Sequence, residues 1–396
     1  MAKQNIISKN ANDVVIVSAV RTPITRARKG GLAGTLPEKL LAHAFKESIQ
    51  RGKLDPKLIE DIAVGNVLPP GGGASLARMA QLYAGIPHSA AINTVNRQCS
   101  SALQAVSQIA LEIASGQIDV GIGAGVESMT AHYGAGAMPP NLDQDVLSNQ
   151  ESADCLIPMG ITSENVAKDF GISRAAQDEF AAQSQQKAAA AQKAGKFTNE
   201  IAPIMVKSED GTHKLIDKDD GIRDGVTKET LAKLKPAFDQ NGCTHAGNAS
   251  QVSDGAAAVV LTRRSNAEKL KLPILGKFVA SADVGCPPRI MGIGPAVAIP
   301  KVLQKAGLSS SDVDIYEINE AFASQALYCV QKLGLDPVKV NPNGGAIALG
   351  HPLGCTGARQ IATILSEAKR IGAKVLCTSM CIGTGMGKAS IIINEQ

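Results

Sequence analysis

The 396-residue chain has no tryptophan, and aromatic residues make up only 3% of it. Surfaces that hold unpaired bases need aromatic platforms, so this scarcity argues against nucleic-acid binding of that kind. A large excess of one sign of charge is missing too. Lys and Arg number 40 against 36 Asp and Glu, a formal net charge of +4 with no basic stripe. No apolar run approaches bilayer length, so no membrane span is expected and a soluble protein is. The 8 cysteines (Cys99, Cys155, Cys243, Cys286, Cys329, Cys355, Cys377 and Cys381) form no C-x-x-C pair, and no apolar h-region precedes them. In a chain of this size that pattern predicts free thiols in a reduced compartment. Two phosphate motifs also fail. Gly121-Ile122-Gly123-Ala124-Gly125 lacks the G-x-G-x-x-G spacing, and Gly383 to Lys388 has Ile382 before it and Ala389 after its lysine. Dinucleotide and nucleoside-triphosphate readings fall with them.

What is present is alanine, glycine (39 residues) and short β-branched runs, a composition suited to helices packed closely on sheets. The length calls for more than one packed unit. Buried-type strands are expected at 13–20, 62–67, 90–95, 119–126 and 254–261, with helices over 37–51, after Gly71-Gly72-Gly73, and after Ser101 up to a stop at Gly116. Between them, residues 127–250 read as more polar and helical, with a long helix at 174–194 capped by Ser173. From 273 onward strands at 274–281, 314–318, 338–340, 373–379 and 389–394 alternate with helices at 295–306, 321–333 and up to 371. The expected organisation is a first α/β half (1–126), an inserted domain (127–250), a return to the first half (251–272) and a second α/β half (273–396). Alternation of this kind means an α/β layered fold with a largely parallel sheet. The halves echo each other: each has a strand, a turn with a chemically active residue, a helix, and a strand ending in glycines.

Four residues carry chemistry. Cys99, in Asn96-Arg97-Gln98-Cys99-Ser100-Ser101-Ala102, sits where a strand turns into a helix. The unpaired N–H groups and positive dipole end there favour a sulfur anion. The plainer reading is that free cysteines are small buried hydrophobes. Asn319 follows a strand in Asn319-Glu320-Ala321-Phe322. His351 lies in the turn Gly350-His351-Pro352-Leu353-Gly354, too glycine-rich to gain much from packing. Cys381 is expected just after a buried strand, before Gly383-Thr384-Gly385-Met386-Gly387. Two thiols, an imidazole and an amide divide naturally into nucleophile, base, second proton carrier and oxyanion donors, with backbone N–H groups beside Gly383. Two cysteines and a histidine also suit zinc, but no fourth ligand stands out.

These four blocks, in this order and over nearly the whole chain from Val14 to Ile393, resemble the thiolase family. The resemblance implies a duplicated α/β/α/β/α layered fold with an inserted, mostly helical loop domain. It implies thiolytic cleavage of 3-ketoacyl-CoA and its reverse condensation, with coenzyme A as substrate and no metal or permanently bound cofactor. Cys99 would be acylated, Cys381 would move the proton at the α-carbon, and His351 would activate Cys99. His351 and a water on Asn319 would form one oxyanion site, and the N–H groups of Cys99 and Gly383 the other. Arg223 and Ser250 would lie along coenzyme A. Left to themselves, an exposed Arg reads as a solvated charge and Ser250 as a turn or cap residue.

Pro158, in Pro158-Met159-Gly160, stands where biosynthetic acetoacetyl-CoA enzymes of the family carry His, and so resembles the degradative peroxisomal branch, typically a homodimer. Residues 3–11 fall near that branch's N-terminal targeting pattern, with Asn10 where His or Gln is expected. The expected compartment is the peroxisome, with the cytoplasm as alternative. The competing functions are a cytosolic acetoacetyl-CoA thiolase and a non-catalytic acyl-CoA or lipid-binding relative.

Overall fold

The computed structural model describes residues 2–134, 141–207 and 211–396, without the side chains at positions 2, 3 and 5. Among the described residues its frame is one sheet of ten strands. The first half supplies β1 (Val14–Arg21), β2 (Asp61–Gly65), β3 (Ala91–Val95), β4 (Val120–Ser128) and β5 (Ser253–Arg263). The second supplies β6 (Gly276–Gly285), β7 (Ile315–Ile318), β8 (Val375–Ile382) and β9 (Met386–Asn394). Their order is β7-β8-β9-β6-β1-β5-β4-β2-β3, and the two-residue strand Thr25–Arg26 pairs with β5. In the sheet the halves pair where β1 meets β6, through Val15 with Lys277 and Ile16 with Gly276.

Both halves have one topology, and it is mixed rather than largely parallel as expected. In the first, β2 is parallel to β3 and β4, and β5 is antiparallel to β4 and β1. In the second, β7 is parallel to β8, and β9 is antiparallel to β8 and β6. The place of β3 is taken by a single parallel bridge, Tyr316 to Val340. The strand expected at 338–340 is therefore reduced to one residue. Asn341 turns left-handed (φ 44°) directly before Pro342. Its side-chain amide replaces the missing backbone ladder, bonding the N–H and C=O of Ile318.

The helices are α1 (Pro37–Gly52), α2 (Ala74–Tyr83), α3 (Ser101–Ser115), α4 (Met159–Phe170), α5 (Arg174–Lys193), α6 (Gly294–Ala306), α7 (Ala323–Lys332) and α8 (Thr356–Ile371). Leu40, Phe45 and Ala77 of α1 and α2 bury one face of the first half against Val15, Ile122 and Val260. On its other face lie α3 and α8. Leu103, Val106, Ile361 and Ile364 fill a core bounded by Val259 and Leu261 on one side and by Leu376 and Ile392 on the other. Ile299 and Val302 of α6 close the outer face of the second half over Val375 and Ile391. The result is five layers, α-β-α-β-α. Small residues permit the central contact: a Cβ at Gly357 would stand 2.6 Å from that of Leu103, and one at Gly123 would stand 2.7 Å from the nitrogen of Val106.

Between β4 and β5 the chain makes a long excursion where the second half has only the turn 383–385. It contains α4, α5 and several one-turn helices, but helix covers less than half of its described residues, so it is less helical than expected. It also holds a two-stranded antiparallel ladder, Ile204–Lys207 with His213–Ile216. Arg21, fully buried at the end of β1, anchors it. The guanidinium forks onto Asp219 at 2.7 and 2.8 Å and reaches Glu200 at 2.7 Å. Glu200 also accepts the hydroxyl of Thr363 in α8 at 2.8 Å.

The α3–α8 approach generates a test. Gly357→Ala forces a methyl into the backbone of α3, an overpacking that costs about 1–3 kcal/mol. The melting temperature should drop by several degrees; an unchanged transition would mean that α8 has room to move.

Candidate active site

Cys99 lies in the turn between β3 and α3, held by its own neighbours. Asn96 Oδ1 accepts the N–H of Gln98 at 2.9 Å, and the hydroxyl of Ser101 donates to the Gln98 carbonyl at 2.6 Å. Gln98 adopts a left-handed conformation (φ 47°), which turns the next residue inward. The thiol is buried, and burial pushes it up to about 11, with the charge of Glu127 adding a smaller upward push. Hydrogen bonds from the backbone N–H groups of Gly383 and of Cys99 itself pull the other way. Burial thus works against the anion that the helix end favours, and it is the largest influence on this sulfur.

Cys381 is not after its strand but inside it, opposite Gly387 at the end of β8 and fully buried. Burial raises its pKa well above the ordinary value, and negative charge on Cys99 would raise it further. The two sulfurs are therefore close enough to sense each other. Ala249, Met291, Ala321 and Phe322 pack with Cys381 in one apolar cluster, with Met159 against it.

His351 follows a one-turn helix (Ala346–Leu349) that the glycine-rich stretch conceals. Its Nδ1 is 2.6 Å from Thr356 Oγ1, and that hydroxyl donates to the Pro352 carbonyl at 3.0 Å. The bonds assign the tautomer: Nδ1–H donates to Thr356, and Nε2 keeps its lone pair. The side-chain amide of Asn319 donates to Nε2 at 3.3 Å. Asn319 Oδ1 is buried with no protein partner, an acceptor left free at this place. Burial, aided by the charge of Arg359, holds the imidazole down to about 3. A buried neutral base thus stands ready to take a proton.

One segment ties these parts together. Ser250 N donates to Ala321 O at 2.9 Å, Ala323 N to Asn248 O at 2.8 Å, and His351 N to Gln251 O at 3.3 Å. The structure thereby brings Asn319, His351 and Ser250 to one strip beside the Cys381 cluster; Cys99 neighbours Cys381, and the Gly383 N–H reaches Cys99. His245 braces the strip from below, bonding Asp178 at 2.7 Å and accepting the Gly247 N–H at 3.0 Å. Arg223 is exposed at the rim. Its backbone N–H bonds Gln185, and nearby Gly221 receives the amide of Gln251. Pro158 is exposed and caps α4 immediately before Met159. Among the described residues no cluster of three His, Cys, Asp or Glu side chains is arranged to hold a metal.

Sequence reasoning did not find Thr356, Arg359, His245 or Glu127. Thr356 and Glu127 left a trace: Thr356 lies five residues past His351, and Glu127 is the one charge ending an otherwise apolar strand. The other two act only through the tertiary fold.

The chain matches the family described as Thiolase, N-terminal domain, over residues 14–265, and Thiolase, C-terminal domain, over 272–394. It is 58% identical over 394 residues to the peroxisomal 3-ketoacyl-CoA thiolase of Yarrowia lipolytica, covering 98% of this chain and 95% of that one. The human peroxisomal 3-ketoacyl-CoA thiolase is 57% identical over 388 residues, 96% of this chain and 91% of the other. Among solved structures, the dimeric peroxisomal thiolase of Saccharomyces cerevisiae superposes with a TM-score of 0.93 at 52% identity, covering 99% and 100%. An acetyl-CoA acetyltransferase of Bacillus anthracis superposes at 0.89 with 37% identity, covering 98% and 100%.

A buried neutral thiol at position 99 makes a prediction. Only the thiolate reacts with alkylating agents, so Cys99 modification by iodoacetamide should rise about tenfold per pH unit from pH 7 to 10. Peptide mapping by mass spectrometry reads this directly. A plateau by pH 8 would mean a standing thiolate–imidazolium pair.

Proposed function

The chain belongs to the thiolase family, and from that membership we propose that it cleaves 3-ketoacyl-CoA with coenzyme A to acetyl-CoA and a shortened acyl-CoA, as in fatty-acid β-oxidation. The observation that carries the reading is the convergence on Cys99 of two backbone N–H groups, its own and that of Gly383, beside the thiol of Cys381. Donors beside a nucleophilic sulfur are also within reach of the carbonyl oxygen of an acyl group formed on it, where an oxyanion would develop.

The chemistry follows. His351 Nε2 takes the proton of Cys99 as the sulfur attacks the 3-keto carbon. The oxyanion is met by the N–H groups of Cys99 and Gly383. The carbon–carbon bond breaks, the departing enolate of acetyl-CoA takes the proton of Cys381, and the acyl group stays on Cys99. The enolate oxygen faces His351 and a water on the free Oδ1 of Asn319. Coenzyme A then gives its thiol proton to Cys381 and attacks the acyl group. Cys99 leaves and recovers its proton from His351. In this direction Cys381 begins as an acid, which its strongly raised pKa supports. Passage through one covalent intermediate implies ping-pong kinetics.

Coenzyme A would lie along the strip of Ser250, with Arg223 at the rim near its phosphates. Pro158 offers no hydrogen bond to an acyl chain and precedes the flexible Met159, which suits chains longer than four carbons. The identity to peroxisomal 3-ketoacyl-CoA thiolases, against 37% to an acetyl-CoA acetyltransferase, supports the degradative branch and the peroxisome. A homodimer is supported by β3, a sheet edge with its residues partly exposed, and by the dimeric yeast relative.

A chain-length series on the purified protein tests the substrate: 3-ketooctanoyl-CoA should be thiolysed at least as well as acetoacetyl-CoA. Activity confined to the four-carbon substrate would overturn the degradative assignment. For the roles, Cys99→Ser should abolish S-acylation by acetoacetyl-CoA. Cys381→Ser should keep acyl exchange from acyl-CoA while carbon–carbon cleavage falls by about 100-fold or more. Equal loss of both activities would count against the proton-carrier role.

A further inference from the structure

Glu127 ends β4 with a fully buried carboxylate that the mechanism above does not use. Its Oε2 accepts the N–H of Val67 at 3.1 Å and of Gly354 at 2.9 Å, and its Oε1 accepts the N–H of Leu68 at 3.2 Å. These donors belong to two different loops. Val67, just past β2, accepts the side-chain amide of Asn96 at 3.2 Å, and Asn96 in turn holds the N–H of Gln98, next to Cys99. Gly354 lies three residues beyond His351, in the loop whose Thr356 sets the imidazole tautomer.

We propose that Glu127 is a positioning residue for acyl transfer, a single buried carboxylate that fixes the nucleophile turn and the imidazole loop relative to each other. This rests on the thiolase reading above. Without the clamp the two reacting groups are attached to separate halves of the molecule, and a displacement of about 1 Å between them costs about 100-fold in rate. A hydrophobic residue could not do this work, because the buried N–H of Gly354 and the part-buried N–H groups of Val67 and Leu68 would lose their acceptor.

The same carboxylate is a negative charge that opposes ionisation of Cys99. The ionisable groups around it are Asp254 on β5, Cys99 and Cys355. Burial lifts its own carboxyl to about 7, with the three N–H groups pulling down and Asp254 pushing up. Above that value it is ionised and the clamp is complete; below it, protonation removes part of its accepting capacity.

The test uses the full chain with Glu127→Gln and Glu127→Asp. Glu127→Gln should lower kcat of thiolysis by about 10- to 100-fold while KM values stay within about threefold. Its Cys99 should be alkylated faster than wild type between about pH 8 and 10, where the wild-type carboxylate is ionised, because a neighbouring charge is gone. Glu127→Asp keeps the charge and should return the wild-type alkylation profile, yet its shorter arm leaves kcat depressed. A merely structural carboxylate would lower the melting temperature and leave kcat per folded molecule and the alkylation profile unchanged; that result overturns the proposal. If Glu127→Gln does not fold, a wild-type kcat in Glu127→Asp overturns it equally. Failure of wild-type protein to acylate Cys99 would instead sink the underlying thiolase reading, and that shows before any variant is made.

Discussion

The contact of α3 with α8 is the constraint from which the site follows. Each of these helices begins just after a loop that carries a reactive side chain, Cys99 for one and His351 for the other. Equivalent loops in two halves of like topology emerge on the same side of their sheets. They can share a site only if the helices behind them nearly touch. Gly357 against Leu103 permits that closeness, and Gly123 against Val106 lets α3 settle on β4. A larger residue at either place would separate the sulfur from its base.

Close packing also sets the electrostatics. A thiolate–imidazolium pair kept permanently in this interior would bear the desolvation cost of both ions. The fold leaves both groups neutral, the thiol pushed up and the imidazole held down. Arg359, paired with Glu317 at 3.0 Å, contributes by opposing any positive charge on His351. Charge then arises only as bonds are made and broken, and it meets groups already in place. Those groups are dipoles rather than ions, namely the N–H bonds of Cys99 and Gly383 and the amide of Asn319. Fixed dipoles need no reorganisation when an oxyanion forms, and burial makes them more effective.

Much of this was legible in the sequence because short-range patterns report it. Continuous β-branched and Ala/Gly runs mark strands covered on both faces, and the blocks around Cys99, Asn319, His351 and Cys381 are compact. The failures share a cause. A strand at 338–340 depends on whether the chain stays extended past it, and a left-handed Asn341 before Pro342 ends it after one bridge. Cys381 belongs to β8 because β9 pairs with it through Ile382, a register that local composition cannot reveal. The ionisation of Cys99 was misjudged because a helix terminus is visible in sequence and the desolvating layer above it is not. Gln98 in a left-handed turn gave no signal at all, since nothing about glutamine favours that conformation.

The two halves differ most where one has the turn 383–385 and the other has the excursion between β4 and β5. This asymmetry separates two tasks. The short turn is tight enough to aim a backbone N–H at Cys99, a job that needs no side chain. The long excursion builds a wall with α4, α5 and the strip of Ser250, where selection among substrates can occur. A wall of that kind is useful only if it is rigid, and its attachments are buried. Arg21 grips Asp219 and Glu200 from the first half, and Ser184 of α5 donates to Glu320 of the second at 2.6 Å. Glu320 is the neighbour of Asn319, so the excursion is fastened within one residue of the amide that contacts His351. Chemistry assigned to the duplicated halves and recognition assigned to the excursion are therefore coupled through the backbone of residues 319 and 320.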